Sequence, residues 1–163
     1  MNNKIAPVLF IIVIIVICSC SSYAQEKARV NHIELNTTLD QIKVYVTKST
    51  YPDSMECKSA SSWRWGAENK CPNFYISEML VSRDDETIFI PLSAFADLGN
   101  PKDVKVESHS KDGFSVVVIG GDAATSYTAR LEFNKSVLVE RIVRHGEFPD
   151  EAWEKTKYKF NYE

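Results

Sequence analysis

The chain has 163 residues, with 19 basic and 22 acidic side chains, a net charge of −3 and 44% hydrophobic residues. That length suits one domain with a sizeable core. The mildly acidic, mixed balance excludes nucleic acid as a partner, because phosphate neutralisation needs a basic patch, and no block of like charge forms an interaction tail.

Residues 1–24 read as a signal peptide. Lys4 supplies the positive start, and Ile5 to Cys18 is an almost unbroken apolar run of 14 residues. A membrane-spanning helix needs roughly 18–20 such residues, so the run fits an export segment better than an anchor. Ser22-Tyr23-Ala24 places small residues where a signal peptidase reads, which would start the mature chain at Gln25. Ile17-Cys18-Ser19-Cys20 also resembles the lipobox of bacterial lipoproteins, and that resemblance implies lipidation at Cys20. We favour cleavage after Ala24; either route exports the protein to the periplasm, the medium or, as a lipoprotein, the outer membrane. Membrane contact is then expected only through the signal peptide or a lipid anchor. The remaining 25–163 form a single β-rich domain carrying 18 basic and 22 acidic side chains, a net charge of −4.

In chain order, Ala28–Leu35 reads as a first strand, followed by a turn at Asn36-Thr37-Thr38. Gln41–Thr47 is a clearer strand, with Ile42, Val44 and Val46 pointing one way. Residues 49–73 break the pattern. They hold Pro52, Pro72, Gly66, Trp63, Trp65 and the cysteines Cys57 and Cys71. An even pair of cysteines in an exported chain predicts a Cys57–Cys71 disulfide, which would stabilise the fold by roughly 3 kcal/mol on a chain-entropy argument. Neither cysteine has a second Cys or His beside it at metal-ligand spacing, so no metal is expected.

Phe74–Val81 and Thr87–Leu92 read as strands around a polar turn at Arg83-Asp84-Asp85. Ser93–Leu98 reads as one helical turn. Asp103–Ser108 is a short strand, and Lys111-Asp112-Gly113 a hairpin turn. A central meander follows: Phe114–Ile119, a turn at Gly120-Gly121-Asp122, Thr125–Phe133 with strict alternation, a turn at Asn134-Lys135-Ser136, and Val137–Val143. Phe148–Glu154 predicts a short helix, with Pro149 in its first turn and acids at its positive end. Lys157–Tyr162 closes the chain as a last strand. The sum is an all-β antiparallel sandwich of about eight short strands with one short C-terminal helix, or alternatively a small β-barrel.

Trp63-Arg64-Trp65 is the leading binding candidate. Aromatic and arginine side chains in a stapled loop can stack on a sugar or fill a partner's pocket. The competing reading folds one or both tryptophans back over the sheet. Gly120-Gly121-Asp122 lacks the Gly-Lys-Ser/Thr ending of a phosphate loop and reads as a turn. Asp84, Asp85 and Glu86 lack the spacing of a calcium loop. His32, His109 and His145 have no adjacent nucleophile, and Ser126 lacks the setting of a catalytic serine. Arg130, Arg141 and Arg144 are expected to pair with Glu132 and Glu140 on the wet face. Arg141, however, shares parity with Val137 and Val139, so its strand must change face or carry a bulge.

With no catalytic set and no cofactor implied, these features predict a non-catalytic binding or inhibitor-like protein of the bacterial envelope, acting on a protein or glycan. A small secreted hydrolase using His109 or His145 is the alternative. A structural lipoprotein is a third reading.

Overall fold

The computed structural model describes residues 32–51, 65–67 and 71–161, and most of them fall in two antiparallel sheets. The first sheet holds β1 (His32–Leu39), β2 (Ile42–Thr50), β3 (Phe74–Arg83) and β4 (Glu86–Ile88). The second holds β5 (Pro101–Ser108), β6 (Gly113–Gly120), β7 (Tyr127–Asn134), β8 (Val137–His145) and β9 (Ala152–Lys157). Every strand pairs with its sequence neighbour, so each sheet is a meander. The chain crosses between sheets over 89–100, where Leu92–Ala94 makes one 3₁₀ turn.

Alternation builds the core. Val44, Val46 and Val81 of the first sheet face Val116, Val118, Leu131, Leu138 and Val143 of the second, all fully buried in one cluster. Cross-strand partners Phe114 and Phe133 stack with ring centroids 4.5 Å apart. Burying each such side chain stabilises the fold by roughly 2 kcal/mol. The architecture is therefore the predicted all-β sandwich of antiparallel strands.

Several boundaries move, each for a local reason. β1 runs straight through Asn36-Thr37-Thr38, because Asn36 pairs with Tyr45 and Thr37 with Val44. The reversal comes instead at Asp40, whose φ of +52° lies in the left-handed region; Asp tolerates that conformation better than most residues. The turn into β4 uses the same device at Asp84 (φ +52°) and Asp85 (φ +64°).

The helix expected at Phe148–Glu154 is not there. Asp150 closes a turn, and Ala152–Lys157 pairs along β8 as β9. A seven-residue helix nucleates poorly on its own, whereas the open edge of β8 offers a row of backbone partners. The last strand expected at Lys157–Tyr162 shifts accordingly: it ends at Lys157, and Tyr158 adds one further bond, its N–H donating to the Val139 carbonyl at 3.0 Å.

Arg141 is the second correction. The register of β7 against β8 slips between Glu132 and Phe133, which face Glu140 and Leu138 and leave Val139 unmatched. This bulge gives Leu138 an inward side chain, turns Val139 and Glu140 outward, and returns Arg141 inward. Arg141 is thus only 2% exposed rather than on the wet face.

Candidate functional site

The inward Arg141 organises one end of the sandwich. A guanidinium stays charged at any physiological pH, so its burial demands partners. Its Nη1 donates to the Ser93 carbonyl at 2.8 Å and its Nη2 to Asp97 Oδ2 at 2.9 Å. Nη1 also lies 2.8 Å from Asp97 Oδ1, so both carboxylate oxygens sit against the guanidinium although only Oδ2 accepts a hydrogen bond from it. On the other side Nε lies 3.6 Å from Glu154 Oε1. One side chain therefore ties β8 to the crossover and to β9.

Glu154 passes this anchoring outward. Its Oε1 accepts from the Thr156 hydroxyl at 2.9 Å, and its Oε2 accepts from the Trp65 indole Nε1–H at 3.3 Å. Trp65 is also held through its backbone. The Gly99 N–H donates to the Trp65 carbonyl at 3.0 Å, and the Asn100 side-chain amide donates to the Gly66 carbonyl at 2.7 Å. Gly66 has φ +79°, and a Cβ there would sit 2.1 Å from the Gly99 carbonyl oxygen. Only glycine permits that approach.

Trp65 stacks on Trp153 with centroids 5.3 Å apart and planes 18° apart. Trp153 tilts onto His145 at 4.3 Å, and His145 stacks on Phe148 at 5.3 Å. His145 is fixed in turn. Its Nε2–H donates to the Ala124 carbonyl at 3.0 Å, while Nδ1 accepts from the Glu147 N–H at 3.1 Å. Only the neutral Nε2–H tautomer makes both bonds. The result is a continuous aromatic row, Trp65–Trp153–His145–Phe148. Trp65 is half-buried and His145 buried, while Trp153 and Phe148 are 45% and 61% exposed. Such rigid, partly exposed rings can stack on a sugar face or hold an apolar side chain.

Tyr127 supports this end from below. Its hydroxyl donates to the Gly99 carbonyl at 3.1 Å, and its ring lies against Gly120, where a Cβ would come within 2.4 Å of the phenol oxygen. Burial, and secondarily the negative charge of Asp97, push its hydroxyl far above the usual phenol range.

The other sequence candidates separate clearly. Trp63, Arg64, Cys57 and Cys20 lie outside the described residues. Trp65 is placed as above, folded back against the body of the sandwich. Cys71 is disulfide-bonded. Gly120-Gly121-Asp122 leads into a 3₁₀ turn at Ala123–Thr125, where the Asp122 N–H donates to the Thr125 hydroxyl at 3.1 Å. Asp85 pairs with Lys43 at 2.7 Å.

On the outer face of the second sheet, His109 Nε2 lies 2.7 Å from the Ser115 hydroxyl and 3.3 Å from Glu132 Oε2. The same nitrogen makes both contacts, whereas a catalytic relay uses one ring nitrogen for the nucleophile and the other for the orienting acid. Ser115 is fully buried and also accepts from Arg130 Nη1 at 2.6 Å. Arg130 Nη2 in turn donates to Glu107 at 2.5 Å. This group is a cross-strand network that braces three strands.

Sequence reasoning missed Trp153, Phe148 and Glu154 as site residues, having placed all three in a helix. The alternation of Trp153, Lys155 and Lys157 with Glu154 and Thr156 was the available signal.

No family model, curated protein or solved structure matches this chain.

Proposed function

We propose that the protein is an exported, non-catalytic binding or inhibitor-like protein of the bacterial envelope, and that it contacts a protein or glycan through the aromatic end of its sandwich. The observation that carries this reading is the row Trp65–Trp153–His145–Phe148: four rings in successive contact, Trp65 held through Glu154 and His145 through backbone bonds, with two left substantially exposed. Rings fixed before binding lose little conformational freedom on contact, which is what a recognition surface needs. Trp63 and Arg64, next to Trp65 in the sequence, are assigned to the same contact in this reading. A Cys57–Cys71 disulfide would staple that segment. Residues 1–24 act as the signal peptide, with lipidation at Cys20 as the alternative route to the envelope.

The test is capture from envelope extract by the wild type, a Trp63→Ala/Trp65→Ala variant and a Trp153→Ala variant. The partner is identified by mass spectrometry, and binding is repeated with the purified partner. Loss of the same partner in both variants supports the reading. Equal capture by all three proteins overturns it. Mass spectrometry of the mature N-terminus decides the export route: a chain starting at Gln25 rules out lipidation.

A further inference from the structure

A second feature lies outside the aromatic row and does not depend on it. The outer face of the second sheet carries an open groove of about 500 Å³, lined by Thr128, Arg130, Glu132, Ile142, Arg144 and Pro149. Its geometry follows from the register. Thr128 of β7 lies directly opposite Arg144 of β8, and Arg130 lies opposite Ile142. Two guanidiniums and a hydroxyl therefore surround a floor made by Ile142, with Pro149 as an apolar wall.

The arginines of the described residues divide sharply. Arg83 donates to the Lys111 carbonyl, Arg141 is clamped by Asp97, and Arg130 is held by Glu107 and Ser115. Arg144 alone makes no hydrogen bond or ion pair through its guanidinium among the described residues. The ladder explains why: its cross-strand partners are Thr128 and Ala152, neither of them acidic. The acids of the same face, four register positions along at Glu132 and Glu140, are already engaged, Glu140 by Lys155 at 3.2 Å and Glu132 by His109. Arg144 is nevertheless half-buried beside an apolar floor.

We propose that this groove is a binding site for a small carboxylate with an apolar body. The carboxylate would take a bidentate bond from Arg144, assisted by the Thr128 hydroxyl, while the body lies on Ile142 and Pro149. Glu147, Asp150 and Glu151 are exposed in the turn around Pro149 and disfavour a bare or doubly charged anion. Their repulsion is screened by water and salt, so contact with the floor decides which anions bind. That selects a monoanion with a hydrocarbon tail over inorganic phosphate.

The test is an amide-detected NMR titration of the protein with hexanoate, hexan-1-ol and inorganic phosphate. The expected result is that hexanoate shifts the amides of Thr128, Ile142 and Arg144 saturably, and that Arg144→Gln weakens binding at least tenfold. Arg144→Lys, which keeps the charge but not the fork, weakens it less. Trp153→Ala leaves it unchanged, so failure here is distinguishable from failure of the aromatic surface. Equal affinity in wild type and Arg144→Gln overturns the site. Hexan-1-ol or phosphate binding as tightly as hexanoate overturns the ligand class. The fold of Arg144→Gln is checked by its dispersed spectrum away from the groove.

Discussion

Arg130 on β7 and Arg141 on β8 lie one row apart in the same sheet and do opposite things. Arg130 faces outward and braces Ser115, Glu107 and Glu132 in reach of water. Arg141 faces the core and is closed off by Asp97, Ser93 and Glu154. The difference is made by one extra residue. The bulge at Val139 resets the face of everything after it, so a charged side chain that alternation would leave wet becomes the anchor of the aromatic end. A buried guanidinium paired with a carboxylate, as at Arg141, belongs to the scaffold; Arg144, half-buried and without a guanidinium partner among the described residues, is the one proposed to take a ligand.

The sharpest way to break this comparison is to change the register itself. Deleting Ile142 turns Val143 and His145 outward while leaving the bulge, and should abolish cooperative unfolding. Deleting Val139 removes the unmatched residue and restores plain alternation from Leu138 to Arg141. The expected cost is about 1 kcal/mol, for the lost bond from Tyr158. Urea unfolding followed by circular dichroism separates the two outcomes.

Side-chain truncation sharpens the same contrast. Arg141→Ala leaves Asp97 and Glu154 without their cation, and should cost about 3 kcal/mol in the same urea measurement. Arg130→Ala removes partly exposed pairs and should cost no more than about 1 kcal/mol. Comparable losses would mean that burial does not distinguish the two arginines.

Tyr127 predicts an alkaline effect of smaller size. Its hydroxyl is held neutral by burial, while in the unfolded chain it ionises near the ordinary phenol value of about 10. The unfolded state therefore binds fewer protons above that pH. Stability is fully present below about pH 10 and falls as pH rises, by up to about 1.4 kcal/mol per pH unit for this group. Tyr158, also raised by burial, adds to the same slope. Tyr127→Phe should lose about 1 kcal/mol at neutral pH with its hydrogen bond to Gly99 and show a shallower decline above pH 10. An unchanged decline would remove Tyr127 from this role.

The sheets were legible because period-two alternation is a short-range property: Tyr127, Ala129, Leu131 and Phe133 announce β7 without reference to anything else. The 148–154 segment was misread because a proline followed by acids marks a turn before a strand as well as it marks the start of a helix. What decides between them is the free edge of β8, which is not local. Arg141 was visible as an anomaly of parity, but its partners come from the crossover and from β9. The aromatic row was the least legible feature. Trp65 was singled out for its neighbours in sequence, whereas its role is set by Trp153, 88 positions away along the chain, and by Glu154.

Phe148 tests most directly whether the aromatic end is a recognition surface rather than further scaffold. It is the most exposed ring of the row, so Phe148→Ala should cost under about 0.5 kcal/mol of stability. The decisive measurement is capture, by Phe148→Ala, of the partner that the proposed function requires, beside its urea midpoint. The predicted result is capture reduced at least fivefold at an unchanged midpoint. Undiminished capture by a folded Phe148→Ala protein would contradict the assignment.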